Sequence, residues 1–177
     1  SMLNRIAILS TREFSKSTLM AYMFLYIAYK GKIPEFGKIY YMIYVGDSMD
    51  NNVKTTMNTI SKVFLESAYL KSRFEDWTLN TDKVEFVRKP FTRTEVEKYQ
   101  AHIDGGGKPK EAPGRMKRTF TLKGVGARTG ARGSRDGLAR PDAAVFDDLI
   151  PSESDANSEP TLKSIESTIK SDILPGL

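Results

Sequence analysis

The sequence predicts an α/β domain with a mostly parallel sheet and helices on both faces. Strand-length apolar runs alternate with longer apolar stretches at helical spacing. The run at 39–45 is apolar at successive positions, as a strand covered on both faces must be. Two adjacent acids end the last strand, at the edge where ligands of open parallel sheets bind. Strands separated by helices imply parallel pairing through right-handed crossovers.

Residues 4–9, Asn-Arg-Ile-Ala-Ile-Leu, form the first strand-length run, and Ser10 to Ser15 is a polar break. Thr18 to Tyr29 has helix length and stops at Lys30-Gly31. Ile39 to Val45 is β-branched and aromatic, hence a buried strand. Gly46-Asp47-Ser48 ends it, with Asp47 or Ser48 placed to cap the next helix. From Asn51 to Phe74, Val53, Met57, Ile60, Phe64 and Leu65 fall at helical spacing. Val84 to Val87 is a brief strand, Thr119 to Leu122 another, and Ala143 to Phe146 the last. Leu162 to Leu174 closes the chain as a helix before Pro175-Gly176. Residues 104–118, rich in Gly, Pro and Lys, read as a flexible basic loop with no packed element.

The 177 residues, 40% hydrophobic and 10% aromatic, suffice for one core, either a single domain or one with a long insertion. Ser1-Met2 reads as a scar of tag removal, which leaves 3–177 as the domain. Without cysteine, thiol catalysis, disulfides and cysteine metal sites are excluded, and His102 alone cannot build a histidine cluster. No apolar run approaches the roughly 18 residues of a membrane span. Charge is segregated. Residues 105–140 hold ten Lys/Arg against Glu111 and Asp136, whereas 141–177 hold eight acids against Lys163 and Lys170. A basic block suggests a polyanionic partner without identifying it.

The segment Ser10-Thr11-Arg12-Glu13-Phe14-Ser15-Lys16-Ser17-Thr18 lies between a strand and a helix. A P-loop needs this setting. Backbone amides wrap phosphates, a Lys reaches the β- and γ-oxygens, and the adjoining hydroxyl ligates magnesium. Lys16 and Ser17 suit the last two roles, while Ser10 and Ser15 stand where glycines are usual. The alternative is a Ser/Thr-rich helix start with a solvated Lys. A second segment tips the choice: Ala143-Ala144-Val145-Phe146-Asp147-Asp148 is an apolar strand ending in two carboxylates. Asp147 suits magnesium and Asp148 suits an attacking water.

These residues resemble the large terminase subunits of tailed bacteriophages. The loop Thr11 to Thr18 is similar to that family's deviant phosphate loop, with Arg12 early in it. Gly130 to Arg135, then Arg140-Pro141-Asp142 running into Ala143 to Asp148, resembles its arginine-bearing loop and acidic strand. The likeness spans about residues 4–177 and leaves the 98–117 stretch unplaced. It implies a P-loop NTPase fold of RecA/ASCE-like type and an ATP- and magnesium-dependent motor. That motor packages double-stranded DNA in the host cytoplasm, as a homo-oligomeric ring on the capsid. The small terminase subunit and the portal protein are its implied partners. It also implies a separate nuclease domain beyond Leu177. The family has Glu after its metal-binding Asp. Here Asp148 stands there, with Glu153 as a possible substitute for the catalytic carboxylate.

Among the basic residues, Arg128, Arg132, Arg135 and Arg140 lie in a glycine-rich segment. An arginine finger acting in a neighbouring subunit, from Arg132 or Arg135, is one expectation. DNA phosphate contact is the other. Lys108 to Arg118 reads as solvated loop and His102 as an exposed loop residue, while Trp77 and tyrosines 40, 41 and 44 read as core. The rival functions are another P-loop translocase and a non-catalytic basic nucleic-acid binder.

Overall fold

The computed structural model describes residues 16–127, 140–150 and 157–173. The expected strand at 4–9, most of the phosphate loop and the residues 128–139 lie outside them.

Helix α1 (Lys16–Lys30) buries Ala21, Phe24, Leu25, Ile27 and Ala28. It ends at Gly31, whose φ of +66° favours glycine and whose N–H donates to Ile27 O at 2.7 Å. A small hairpin, β1 (Lys32–Ile33) and β2 (Gly37–Lys38), leads to β3 (Tyr41–Gly46). All six residues of β3 are buried. Met42 and Tyr44 belong to a core with α1 and α2 residues, whereas Tyr41, Ile43 and Val45 belong to a second core with Val125, Ala127 and Ile165. The sheet is thus covered on both faces at β3, as its continuous apolar run predicts.

A π-helical turn (Met49–Val53) follows, capped by Ser48, whose side chain accepts from Asn51 N at 3.3 Å. It runs into α2 (Lys54–Glu66) and then α3 (Ala68–Arg73). The single helix expected over 51–74 is therefore broken. Ser67 adopts extended angles and caps α3 through Leu70 N, and Phe74 already begins the next strand.

Strands β4 (Phe74–Leu79) and β5 (Lys83–Arg88) form an antiparallel hairpin, and helix α4 (Arg93–Asp104) follows. Strand β6 (Thr119–Gly126) pairs antiparallel with β5 but parallel with β3, and β7 (Ala143–Phe146) pairs parallel with β3. The five-stranded order is β4-β5-β6-β3-β7. The fold is α/β but the sheet is mixed, with β4–β5 and β5–β6 antiparallel and β6–β3 and β3–β7 parallel, where a mostly parallel sheet was expected. The cause is local: only Asn80 to Asp82 separate β4 from β5, and so short a link permits only an antiparallel neighbour. The last helix, α5 (Glu159–Ser167), continues as a π-helical turn to Ile173 and is tied to the end of β6 by Thr168 Oγ1, which donates to Ala127 O at 3.0 Å.

The 104–118 stretch carries two short 3-10 turns, Pro109–Glu111 and Met116–Arg118. Ala112 and Arg118 are buried, so the reading of Lys108 to Arg118 as solvated loop is corrected. The acids Glu75 and Asp76 on β4 draw Arg115 and Arg118 inward. His102 is half-buried on α4 and its Nε2 lies 3.0 Å from Lys108 O, a placement inside a helix and not a loop. Trp77 sits edge-on to Phe64 at 5.0 Å but stays 38% exposed, less of a core residue than expected.

Candidate functional site

The parallel strands bring their carboxyl ends to one edge. The β3–β7 register pairs Tyr44 with Val145 and Val45 with Phe146, and Asp147 N extends the ladder by donating to Val45 O at 2.9 Å. Asp142 fixes that register from the other end. Its Oδ2 accepts from Tyr40 N at 2.7 Å and Tyr41 N at 2.9 Å, and its own N–H donates to Tyr41 O at 2.8 Å. Asp147 and Asp148 follow immediately on β7. Asp148 has φ of +46°, a left-handed conformation that Asp tolerates better than most residues.

Lys16, the first residue of α1, meets both acids. Its Nζ lies 2.7 Å from Asp147 Oδ1 and 3.5 Å from Asp148 Oδ1. Residues 131 positions apart, singled out from two separate segments, thus converge on one edge of the sheet. The hydrogen bond to Asp147 holds the Lys16 pKa above its ordinary value, against a desolvation that lowers it, with both aspartate charges adding to the rise. Ser17 and Thr18 are exposed on the first turn of α1.

Asp147 is buried and Asp148 is 62% exposed at its side chain. The two carboxylates therefore differ in what they can do. Asp147 is held, whereas Asp148 is open to water. The Tyr44 hydroxyl donates to Asp147 Oδ2 at 2.8 Å and has Asn52 Oδ1 as a second acceptor in reach. It accepts from Thr56 Oγ1 at 3.0 Å. Burial pushes the Tyr44 phenol pKa up strongly, the Asp147 charge adding to it, so Tyr44 stays a neutral donor. Asn52 Nδ2 also donates to Asp147 O at 3.4 Å.

The π-helical turn lies close enough for this because two strand positions lack side chains. A Cβ on Gly46 would stand 2.9 Å from Asn52 Cβ, and one on Gly124 only 2.1 Å from Val53 Cγ1. Asp47, at the end of β3, is buried and accepts from Ser48 Oγ at 3.3 Å.

Oxygen donors suit magnesium, which takes one or two carboxylates together with phosphate oxygens. Asp147 Oδ1 faces a cation already, the Lys16 ammonium, and Ser17 adjoins that Lys in sequence. Among the described residues no group of three or more His, Cys, Asp or Glu side chains is placed to hold a metal by itself. Of the residues expected in the site, Lys16, Asp147 and Asp148 are brought together. Ser10, Thr11, Arg12, Glu13, Phe14, Ser15, Glu153, Arg132 and Arg135 lie outside the described residues. Tyr44 reads as core from the sequence, and no motif marks Asn52 or Thr56, so none of the three is legible there as a site residue. Among the described residues no helix is long and apolar enough to cross a membrane. No family model, curated protein or solved structure matches the chain.

Proposed function

We propose that the chain binds a nucleoside triphosphate with magnesium and hydrolyses it at the edge formed by Lys16, Asp147 and Asp148. One observation carries the reading: an ammonium at the start of a helix lies against two adjacent carboxylates at the end of a parallel strand. In a triphosphate site the same charges separate. Lys16 would turn to the β- and γ-phosphates, and Asp147 with Ser17 would hold magnesium, whose charge would offset that of the phosphate oxygens. Asp148, exposed and beside the held Asp147, accepts the proton of the water whose oxygen attacks the γ-phosphorus. The bond from that phosphorus to the β–γ bridging oxygen breaks, releasing phosphate.

The narrower reading rests on the resemblance of Thr11 to Thr18, of Gly130 to Arg135 and of Arg140 to Asp148. It is a motor ATPase of the large terminase kind, with P-loop fold of RecA/ASCE-like type, ATP as nucleotide and double-stranded DNA as cargo. Arg132 or Arg135 then serves a neighbouring subunit in a ring, and Glu153 is the alternative carboxylate. The fully buried Arg118 and the paired Arg115 remove two charges from the basic stretch on which a purely nucleic-acid-binding reading relies.

The test is phosphate release and calorimetric ATP binding in three variants, Asp147→Ala, Asp148→Asn and Glu153→Gln. Asp147→Ala is expected to lose magnesium-dependent binding. Asp148→Asn is expected to keep binding and lose about 10²- to 10⁴-fold in turnover, the usual worth of a general base. Unchanged binding in Asp147→Ala, or turnover lost through Glu153→Gln and retained in Asp148→Asn, contradicts the assignment of the acids.

A further inference from the structure

We infer that Tyr44, buttressed by Asn52 and Thr56, is a positioning residue for Asp147: it holds one carboxylate oxygen so that the other faces the Lys16 position. This rests on the magnesium–triphosphate reading above and adds to it the residues that aim its metal ligand.

Tyr44 is fully buried on β3, its ring edge-on to Phe24 at 6.2 Å. Its neighbours in that core include Phe24, Met42, Val53 and Met57, and a phenylalanine would fill the same space. A hydroxyl put there must be satisfied or it costs stability. The sequence supplies three polar groups from separate elements: Asp147 after β7, Asn52 from the π-helical turn and Thr56 from α2. π-helical turns recur at functional sites, and this one brings Asn52 inward over Gly46.

The phenol has one hydrogen and two acceptors in reach. A carboxylate is the stronger acceptor, so the hydrogen belongs to Asp147 Oδ2. Asn52 then grips the same residue from its main chain, Nδ2 donating to Asp147 O at 3.4 Å, while the one hydrogen of Thr56 Oγ1 goes to the phenol oxygen at 3.0 Å. With Oδ2 and the carbonyl both held, the carboxylate cannot swing, and Oδ1 alone is presented at 2.7 Å to the Lys16 ammonium. Hydrogen bonds behind a metal ligand commonly govern metal affinity by about 10- to 100-fold.

The test uses the whole chain and manganese as the paramagnetic probe. Manganese binding is followed by electron paramagnetic resonance with a non-hydrolysable ATP analogue, and metal-free nucleotide affinity by calorimetry. Tyr44→Phe is expected to weaken manganese about tenfold and to leave metal-free nucleotide affinity within about twofold. Asn52→Ala is expected to shift manganese affinity the same way, and it carries the test if Tyr44→Phe fails to fold. Wild-type manganese affinity in both variants, with affinity lost in Asp147→Ala, overturns the positioning role and leaves the nucleotide site standing. Manganese affinity indifferent to Asp147→Ala overturns both.

Discussion

The two ends of the sheet each carry a cluster of opposite charges, and the clusters differ in closure. At the β4–β5 end Arg88 and Arg118 are buried, and their partners come from the chain around them. Glu95 on α4 accepts from both Nη atoms of Arg88, at 2.9 and 2.6 Å. Arg118 Nη1 lies 2.9 Å from Glu75 Oε2 as an ion pair and donates to Arg88 O at 2.7 Å. Among the described residues, the buried side-chain atoms without a hydrogen bond are Glu75 Oε2, which faces Arg118 as an ion pair, and Arg88 Nε and Arg118 Nη2, whose guanidinium groups lie over the rings of Phe91 and Tyr99. At the β3–β7 end Lys16 is 32% exposed and Asp148 62%. A closed cluster holds segments together. A half-open one keeps its cation and anions within reach of solvent, as the proposed exchange of partners for phosphate and metal requires.

Breaking the closed cluster is expected to have the largest effect. Arg118→Ala takes one of its two guanidinium partners from Glu75 and the donor from Arg88 O, and is expected to cost about 3–5 kcal/mol in urea unfolding, the range for removing one member of a buried pair. A loss below about 1 kcal/mol, typical of exposed pairs, would erase the contrast between the two ends.

The pH dependence sharpens it next. The Arg88 guanidinium, with the amides of Phe91 and Thr92, holds the Glu95 carboxyl down at about 2 from its usual 4.5, against an opposing desolvation. A depressed carboxyl contributes stability that is complete above its unfolded value. That contribution is lost as pH falls from about 4.5 towards about 2. About 2–3 kcal/mol is expected to vanish in that window, and Glu95→Gln is expected to flatten this part of the profile. An acid limb identical in wild type and Glu95→Gln would show that Glu95 is not its source.

A smaller effect is expected from Asp142, which sets the register that carries Asp147 to the edge. Asp142→Ala removes an acceptor from two backbone N–H groups and is expected to cost about 1–2 kcal/mol. Asp142→Asn keeps an acceptor oxygen and is expected to recover most of it. Equal losses in both would assign the effect to charge and not to register.

The parallel end was the more legible in the sequence, for physical reasons. A strand covered on both faces must be apolar throughout, and Tyr41 to Val45 announces itself. The acids after Ala143 to Phe146 lie at a strand end, and α1 follows its apolar run to Gly31. The antiparallel end hid. Strand β4 alternates buried Phe74 with charged and exposed residues, so it merges with the preceding helical spacing. Helix α4 has no buried residue, and its apolar positions Val96, Tyr99 and Ile103 stand alone among polar residues. Its start was written all the same in Thr92-x-x-Glu95, whose side chains form a capping box. The hydrogen bonds of Tyr44, Asn52 and Asp142 join residues up to 103 positions apart through tertiary placement, which no local pattern encodes.

The most direct measurement of the central claim is calorimetric titration of magnesium–ATP into wild type and Lys16→Ala, beside thermal unfolding of both. Lys16 is expected to act at the phosphates, so the variant should lose about 100-fold or more in affinity, equivalent to at least about 2.7 kcal/mol. Its stability should change by no more than about 1 kcal/mol, as for other half-exposed pairs. Unchanged magnesium–ATP affinity in a folded Lys16→Ala, or no binding by the wild type, would contradict the claim that this edge of the sheet is a triphosphate site.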